Sequence, residues 1–175
     1  MLSQPLFVVQ QSHIHNRGVF AAKDIPKGTK ILQYLGEKIT KTVSLQRAQM
    51  REEHAKNTQG ARVYIFDLNK RYDLDGDIPD NPAKYINHSC EPNCEAVNLR
   101  GQIWIVAKKN IKNGQELSFN YNYEWDHCLD HPCYCKTPSC LGYILKPRLR
   151  AKLKRYLQNI AKPMDAANKQ PGEQN

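Results

Sequence analysis

The chain has 175 residues, room for one domain of ordinary size whose core needs no disulfides. A composition that is 40% hydrophobic and 25% charged, with nine Tyr and ten Pro, excludes a fibrous or fully disordered chain, and no run approaches the roughly 18 apolar residues of a membrane span. The formal charge of +9 points toward nucleic acid until it is located: from Lys146 onward eight basic residues meet two acidic ones, so +6 of it belongs to the C-terminal segment.

In chain order, Leu6-Phe7-Val8-Val9 is too short for the core of a secretory signal and lacks a basic lead-in. The segment reads as a first strand, and the protein is expected to stay inside the cell. Further β-type runs go from Gly18 to Ala21 and from Ile31 to Leu35, separated by the turn Ile25-Pro26-Lys27-Gly28. A helix is expected from Ser44, a good N-cap, to about His54; having little apolar face, it should lie exposed. Strands follow from Val63 to Leu68, Ile103 to Ala107 and Leu117 to Tyr121, with turn signals at Asp75-Gly76 and Asn113-Gly114. An acidic stretch holds Asp73, Asp75, Asp77 and Asp80. Near the end Leu149, Leu153, Tyr156, Leu157 and Ile160 recur at helical spacing with basic residues opposite, which predicts a basic amphipathic helix over 146–162. Its plainest reading is a helix packed on the domain with a solvated basic face; nucleic acid, an acidic protein or a membrane surface would also fit it. Residues 163–175 have almost nothing to bury and are expected to be disordered.

Two segments carry the chemistry. Lys84-Tyr85-Ile86-Asn87-His88-Ser89-Cys90-Glu91-Pro92-Asn93-Cys94 is dense in hydrogen-bonding side chains and is broken by a proline that bars a helix. By itself it is a metal loop or a polar turn. Gly114-Gln115-Glu116-Leu117-Ser118-Phe119-Asn120-Tyr121-Asn122-Tyr123 is a turn and a strand ending in alternating aromatics, which elsewhere would be one face of a core strand.

Taken with Cys133-x-Cys135-x4-Cys140, these strings resemble the SET-domain family of protein lysine methyltransferases. Gly18-Val19-Phe20-Ala21, Ile25-Pro26-Lys27-Gly28, Tyr34-Leu35-Gly36-Glu37 and Tyr64-Ile65-Phe66-Asp67-Leu68 match its other motifs in the family's order, from about His13 to Leu145. The resemblance implies a mainly β fold with short helices, built of small, mostly antiparallel sheets around a knot-like site. A SET domain over 5–125, a post-SET zinc segment over 126–145, the basic helix and the tail would divide the chain. S-adenosylmethionine would sit on one face, and a substrate lysine would enter a channel from the other.

Carried over by position, Asn16, Arg17 and Gly18 form the glycine motif that meets the cofactor's methionine part. Lys84 and Tyr85 precede Asn87 and His88, the pair placed against its adenosine; Tyr64 lines the junction with the channel, and Leu145 lies in the segment folding over the adenine. Tyr121 matches the catalytic tyrosine. Phe119 matches the position where a missing hydroxyl leaves room for an amine already bearing methyls, so di- or trimethylation is expected. Three departures stand out: Asn16-Arg17-Gly18 replaces Gly-x-Gly, Asn120 replaces a common Asp, and Leu145 replaces an aromatic. The chain reads as a minimal stand-alone enzyme, like bacterial or viral members, or as a piece of a longer protein.

All six cysteines lie between positions 90 and 140, and inside a cell such clustering favours metal over disulfides. A C-x-C turn supplies two or three of the four ligands zinc wants. The resemblance names Cys90 as the fourth, beside Cys133, Cys135 and Cys140; Cys94, Cys128, His127 and His131 compete. The implied substrate is a lysine-containing, histone-like basic protein, docking near Asp73 to Asp80 or Glu124 to Asp130, with the basic helix free to hold DNA. The rival readings are a SET-fold binding module without turnover and a zinc-containing nucleic-acid-binding protein.

Overall fold

The computed structural model describes residues 5–58 and 64–161. Among the described residues ten short strands form four small sheets, antiparallel except for one pair. β1 (Phe7–Gln11) pairs with β2 (Arg17–Ala21), whose residues after Arg17 are all buried. β9 (Gln102–Ala107) is the centre of a second sheet, between β3 (Lys30–Tyr34) and β8 (Cys94–Leu99). Its Ile103, Ile105 and Ala107 alternate into the core, as a strand's period of two requires. β6 (Tyr72–Asp75) lies between β4 (Glu37–Thr40) and β5 (Ile65–Asp67) in the third. The fourth is a parallel pair of two-residue strands, β7 (Asn87–His88) and β10 (Ser118–Phe119).

Each predicted strand reappears within a residue or two, with Val63 outside the described residues. β4, β6, β7 and β8 were not legible, because their polar, cysteine- or aspartate-bearing sequences lack the β-branched runs that announce a strand. The first helix, α1 (Lys41–Thr58), begins three residues before Ser44. The Thr40 hydroxyl accepts the Val43 N–H at 3.4 Å, so Thr40 is the cap, and Ser44 is buried inside the first turns.

Lacking an apolar stripe, α1 is docked by charge. Arg47 and Arg51, four residues apart on one face, both reach Asp75, which is only 2% exposed, at 2.7–2.9 Å; Lys41 holds Asp67 and Asp73. Leu45 and Met50 face outward. Much of the acidic stretch is therefore committed within the protein: Asp73, Asp75 and Asp77 are paired with Lys41, Arg47, Arg51 and Lys84, while Asp80 stays exposed.

The C-terminal part has its own small core of Cys128, Leu145 and Leu153, joined by Trp125, Leu141, Tyr143, Leu149 and Leu157. Helix α2 (Trp125–Cys128), the cysteine segment and α3 (Arg150–Ile160) share it, so the regions expected over 126–145 and 146–162 pack as one. A 3-10 turn, Pro147–Leu149, opens what was expected as continuous helix; Tyr156 and Ile160 are exposed, and residues 162–175 lie outside the described residues.

Burial pushes the Asp75 carboxyl up, but hydrogen bonds from Arg51 and Arg47 outweigh it and hold the group below its ordinary range. A depressed carboxyl stabilises above its unfolded value, near 3.9, and loses that contribution as pH falls through the folded one. Asp75→Asn should lower unfolding free energy by about 3 kcal/mol at neutral pH, since it strands two arginines. Urea denaturation should find the gap to wild type closing below about pH 4.

Candidate active site and thiol cluster

In the parallel pair Asn87 lies beside Ser118 and His88 beside Phe119, which crosses the two motif segments as the resemblance implied. Two residues per strand cannot hold such a crossing alone. Asn93 completes it: its Nδ2 donates to the Glu116 carbonyl and its Oδ1 accepts from the Ser118 N–H, both at 2.8 Å.

Asn87 faces the loop before β2. Its amide lies 2.7 Å from Glu116 Oε1, 3.1 Å from the Ser12 hydroxyl and the Arg17 carbonyl, and 3.3 Å from the His15 carbonyl. The Ser12 hydroxyl in turn lies against the Glu116 carboxylate. Glu116, Ser12 and Asn93 escaped the sequence reading; the spacing of the two motifs was the signal, but nothing in it named their partners. Asn16 adopts φ 44°, the left-handed conformation that asparagine tolerates better than other non-glycine residues, so the loop keeps its turn without the first glycine. At Gly18 an added Cβ would meet Glu116 Oε1 at 2.4 Å, so glycine there leaves the carboxylate room to reach Asn87 and Ser12.

One cleft is lined by Asn16, Arg17, Tyr64, Lys84, Tyr85, Asn87, His88, Phe119 and Tyr121. Arg17 sits over the Tyr85 ring at 4.3 Å, and Lys84 lies 5.5 Å from that ring and 5.9 Å from Tyr64 while bonding Asp77. Tyr64 is fixed through its carbonyl, which accepts from the Tyr34 hydroxyl and the Gly76 N–H. Phe66, Phe119, Tyr121 and Tyr123 form a chain of rings with centroids 5.1–6.4 Å apart, and Tyr123 stacks on His131 at 4.1 Å. The Tyr121 hydroxyl donates to the Ile86 carbonyl at 2.9 Å, and burial raises it above the ordinary tyrosine range. Gly18 and Leu145 do not line the cleft. Leu145 is 1% exposed in the small C-terminal core, because its carbonyl accepts from Asn120 and its side chain packs toward Leu153; Ile144 and Lys146 line the cleft instead.

The Sγ atoms of Cys90, Cys133, Cys135 and Cys140 all lie within 4.8 Å of one another. Cys90 and Cys133 are 3.8 Å apart, close to the edge of about 3.8 Å that a tetrahedron of 2.3 Å zinc–sulfur bonds requires and far from a disulfide. Backbone N–H groups of Cys90 and Gly142 donate to Cys135 and Cys140. Hydrogen bonding with Cys133, opposed by burial and aided by His88, holds the Cys90 thiol well below its usual range. The donor set therefore fits zinc. Cys94 lies in the main core, where burial pushes its thiol up to about 12; Cys128 lies in the small one, and His131 is stacked on Tyr123.

Small antiparallel sheets crossed by this parallel pair define a SET domain. The SET domain family matches residues 16–122, and the chain belongs to it. It is 33% identical over 135 residues to histone-lysine N-methyltransferase 2D of Homo sapiens, covering 74% of this chain and 2% of that protein. It is 34% identical over 140 residues to the histone-lysine N-methyltransferase trithorax of Drosophila melanogaster, covering 78% and 4%. With the H3 lysine-4 specific histone-lysine N-methyltransferase of Aspergillus oryzae it shares 33% over 140 residues, covering 77% and 11%. The chain thus spans a small fraction of these relatives' length.

Gly18→Ala should destabilise by about 1–3 kcal/mol, since the added methyl displaces the Glu116 carboxylate from Asn87 and Ser12. In a Glu116→Ala background the same change should be nearly neutral, and a thermal-unfolding double-mutant cycle measures that coupling.

Proposed function

We propose that the chain is an S-adenosylmethionine-dependent protein-lysine N-methyltransferase acting inside cells on a histone or similarly basic protein. The observation that carries this reading is Tyr121, its hydroxyl turned inward against Ile86 at the end of the ring-lined cleft. When bound, the cofactor supplies a methyl group on a positively charged sulfonium. Arg17 and Lys84, beside Tyr85, offer cations for its carboxylate, and the backbone of Asn16 with that of Asn87 and His88 offers donors and acceptors. The Asn87 amide and both His88 ring nitrogens already have protein partners, so their side chains hold the site rather than the adenosine.

A free lysine amine has a pKa near 10.4, and keeping it neutral at physiological pH, roughly three units lower, requires about 4 kcal/mol. Desolvation between Tyr64, Phe119, Tyr121 and Tyr123 favours the uncharged amine. Tyr121 does not act as the base, because burial keeps its phenol protonated. Since its O–H donates to Ile86, its oxygen is left as an acceptor for an amine N–H, which orients the nucleophile. Phe119 brings no hydroxyl to that place, which supports di- or trimethylation. Zinc held by Cys90, Cys133, Cys135 and Cys140 would tie the C-terminal unit to the active-site loop.

For a basic substrate Glu52, Glu95 and Asp130 are carboxylates along the cleft outside the ion pairs that hold Asp67 and Asp77; burial, then the charge of Glu52, raises Tyr123 to about 12. The names of the relatives support histone as substrate. Residues 131–161 contain seven Lys and Arg and no Asp or Glu, which supports contact of α3 with nucleic-acid phosphates near that substrate.

Tyr121→Phe should lower turnover by about 10²-fold in a labelled-methyl assay on a histone panel, and an unchanged rate would remove Tyr121 from this role. Lys154→Glu with Arg155→Glu, both exposed, should weaken DNA binding and reduce its log–log salt slope by about 2, with activity on free peptide retained.

A further inference from the structure

We infer that His88 is a positioning residue that links the four-cysteine site to Tyr121 by one hydrogen bond on each ring nitrogen. The inference rests on the zinc and Tyr121 roles proposed above. Along an extended chain alternate side chains share a side, so Asn87 turns to the loop before β2 while His88 and Cys90 turn together toward the thiols and the aromatic strand. His88 is 4% exposed, and its ring lies edge-on to that of Tyr121 at 5.4 Å.

The hydrogen bonds fix where the ring's proton sits. The Tyr121 backbone N–H, 3.2 Å from Nδ1, can only donate, so Nδ1 is an unprotonated acceptor. A neutral imidazole then carries its proton on Nε2, and Nε2 is 3.6 Å from Cys90 Sγ. The sulfur is then the acceptor, so the ring holds Cys90 in the place where it would meet a metal. In the other direction, a metal that immobilises Cys90 immobilises the ring and, through it, the backbone of Tyr121. The Tyr121 hydroxyl is fixed separately on Ile86, one residue before β7, so both ends of Tyr121 are tied to the strand that leads into the thiol cluster. Hydrogen bonds around metal ligands are worth about 10- to 100-fold in metal affinity, so this link is large enough to measure.

The test uses the whole zinc-loaded chain. Ring ¹⁵N spectra should place the His88 proton on Nε2; a proton on Nδ1 overturns the inference without any variant. His88→Leu should release zinc to a chelator about 10- to 100-fold more readily, and amide exchange at Tyr121 should quicken in that variant and in wild type stripped of metal. Zinc affinity within twofold of wild type, or exchange at Tyr121 indifferent to metal, overturns the link while leaving the zinc site standing. Wild-type protein that takes up less than half an equivalent of zinc overturns the zinc reading itself, and the link with it.

Discussion

Everything in the site depends on a parallel pairing only two residues long. β7 and β10 come from segments some thirty positions apart, and neither offers enough ladder hydrogen bonds to hold the other. Side-chain amides supply the remainder: Asn93 binds the backbone on both sides of Leu117, and Asn87 draws Glu116 and Ser12 together with the loop before β2. An amide is suited to this because it donates and accepts at once, as backbone does. A carboxylate at position 87 would meet Glu116, and an apolar residue would remove the donor that Glu116, Ser12 and two loop carbonyls share. The motif thus fixes the crossing first, and the cleft follows from the crossing.

The same economy governs α1. Its sequence has no face that water would drive onto the sheet, yet it is held, because a buried aspartate at the end of the third sheet's central strand meets two arginines at helical spacing. Charge pairing at a partly buried position replaces apolar area, and it makes the acidic residues there structural. The basic C-terminal segment behaves oppositely. Lys146 and Arg148 are taken up by Glu124, and Arg150 binds the Ser139 carbonyl, but Lys154 and Arg155 stay exposed on a helix without carboxylates. Formal charge counted along the sequence could not separate these two cases; burial does.

Legibility in the sequence follows the same division. Strands built from β-branched runs, such as Ile103 to Ala107, could be read from alternation alone, and the family's ordered motifs led to the crossing, the cleft and the four cysteines. What could not be read was whatever depends on a distant partner. β8 and its tight Arg100-Gly101 turn, with φ 55° and 88°, were missed because arginine is an unusual first residue for a turn in which both positions are left-handed. β6 reads along the sequence as an acidic surface, since its aspartates need Arg47, Arg51 and Lys41 to be buried. Leu145 was assigned by motif position to the cofactor wall, and the small core around Leu153 took it instead.

That small core alters how the thiol cluster should be understood. Three cysteines on a loop with little regular structure would be poorly placed for a fourth ligand across the molecule. Here the loop is framed by α2 and α3, and within it the Cys133 N–H bonds the Gly142 carbonyl while the Ile144 N–H bonds that of His131. The framing preorganises the thiols, so less ordering entropy is lost when a metal binds. Arg150, at the start of α3, binds the loop at Ser139, whose own N–H is held by Glu91 beside Cys90. The basic helix is thereby part of the wall that brings Cys133, Cys135 and Cys140 to Cys90, and its charged outer face and its structural inner face act on opposite sides of one element.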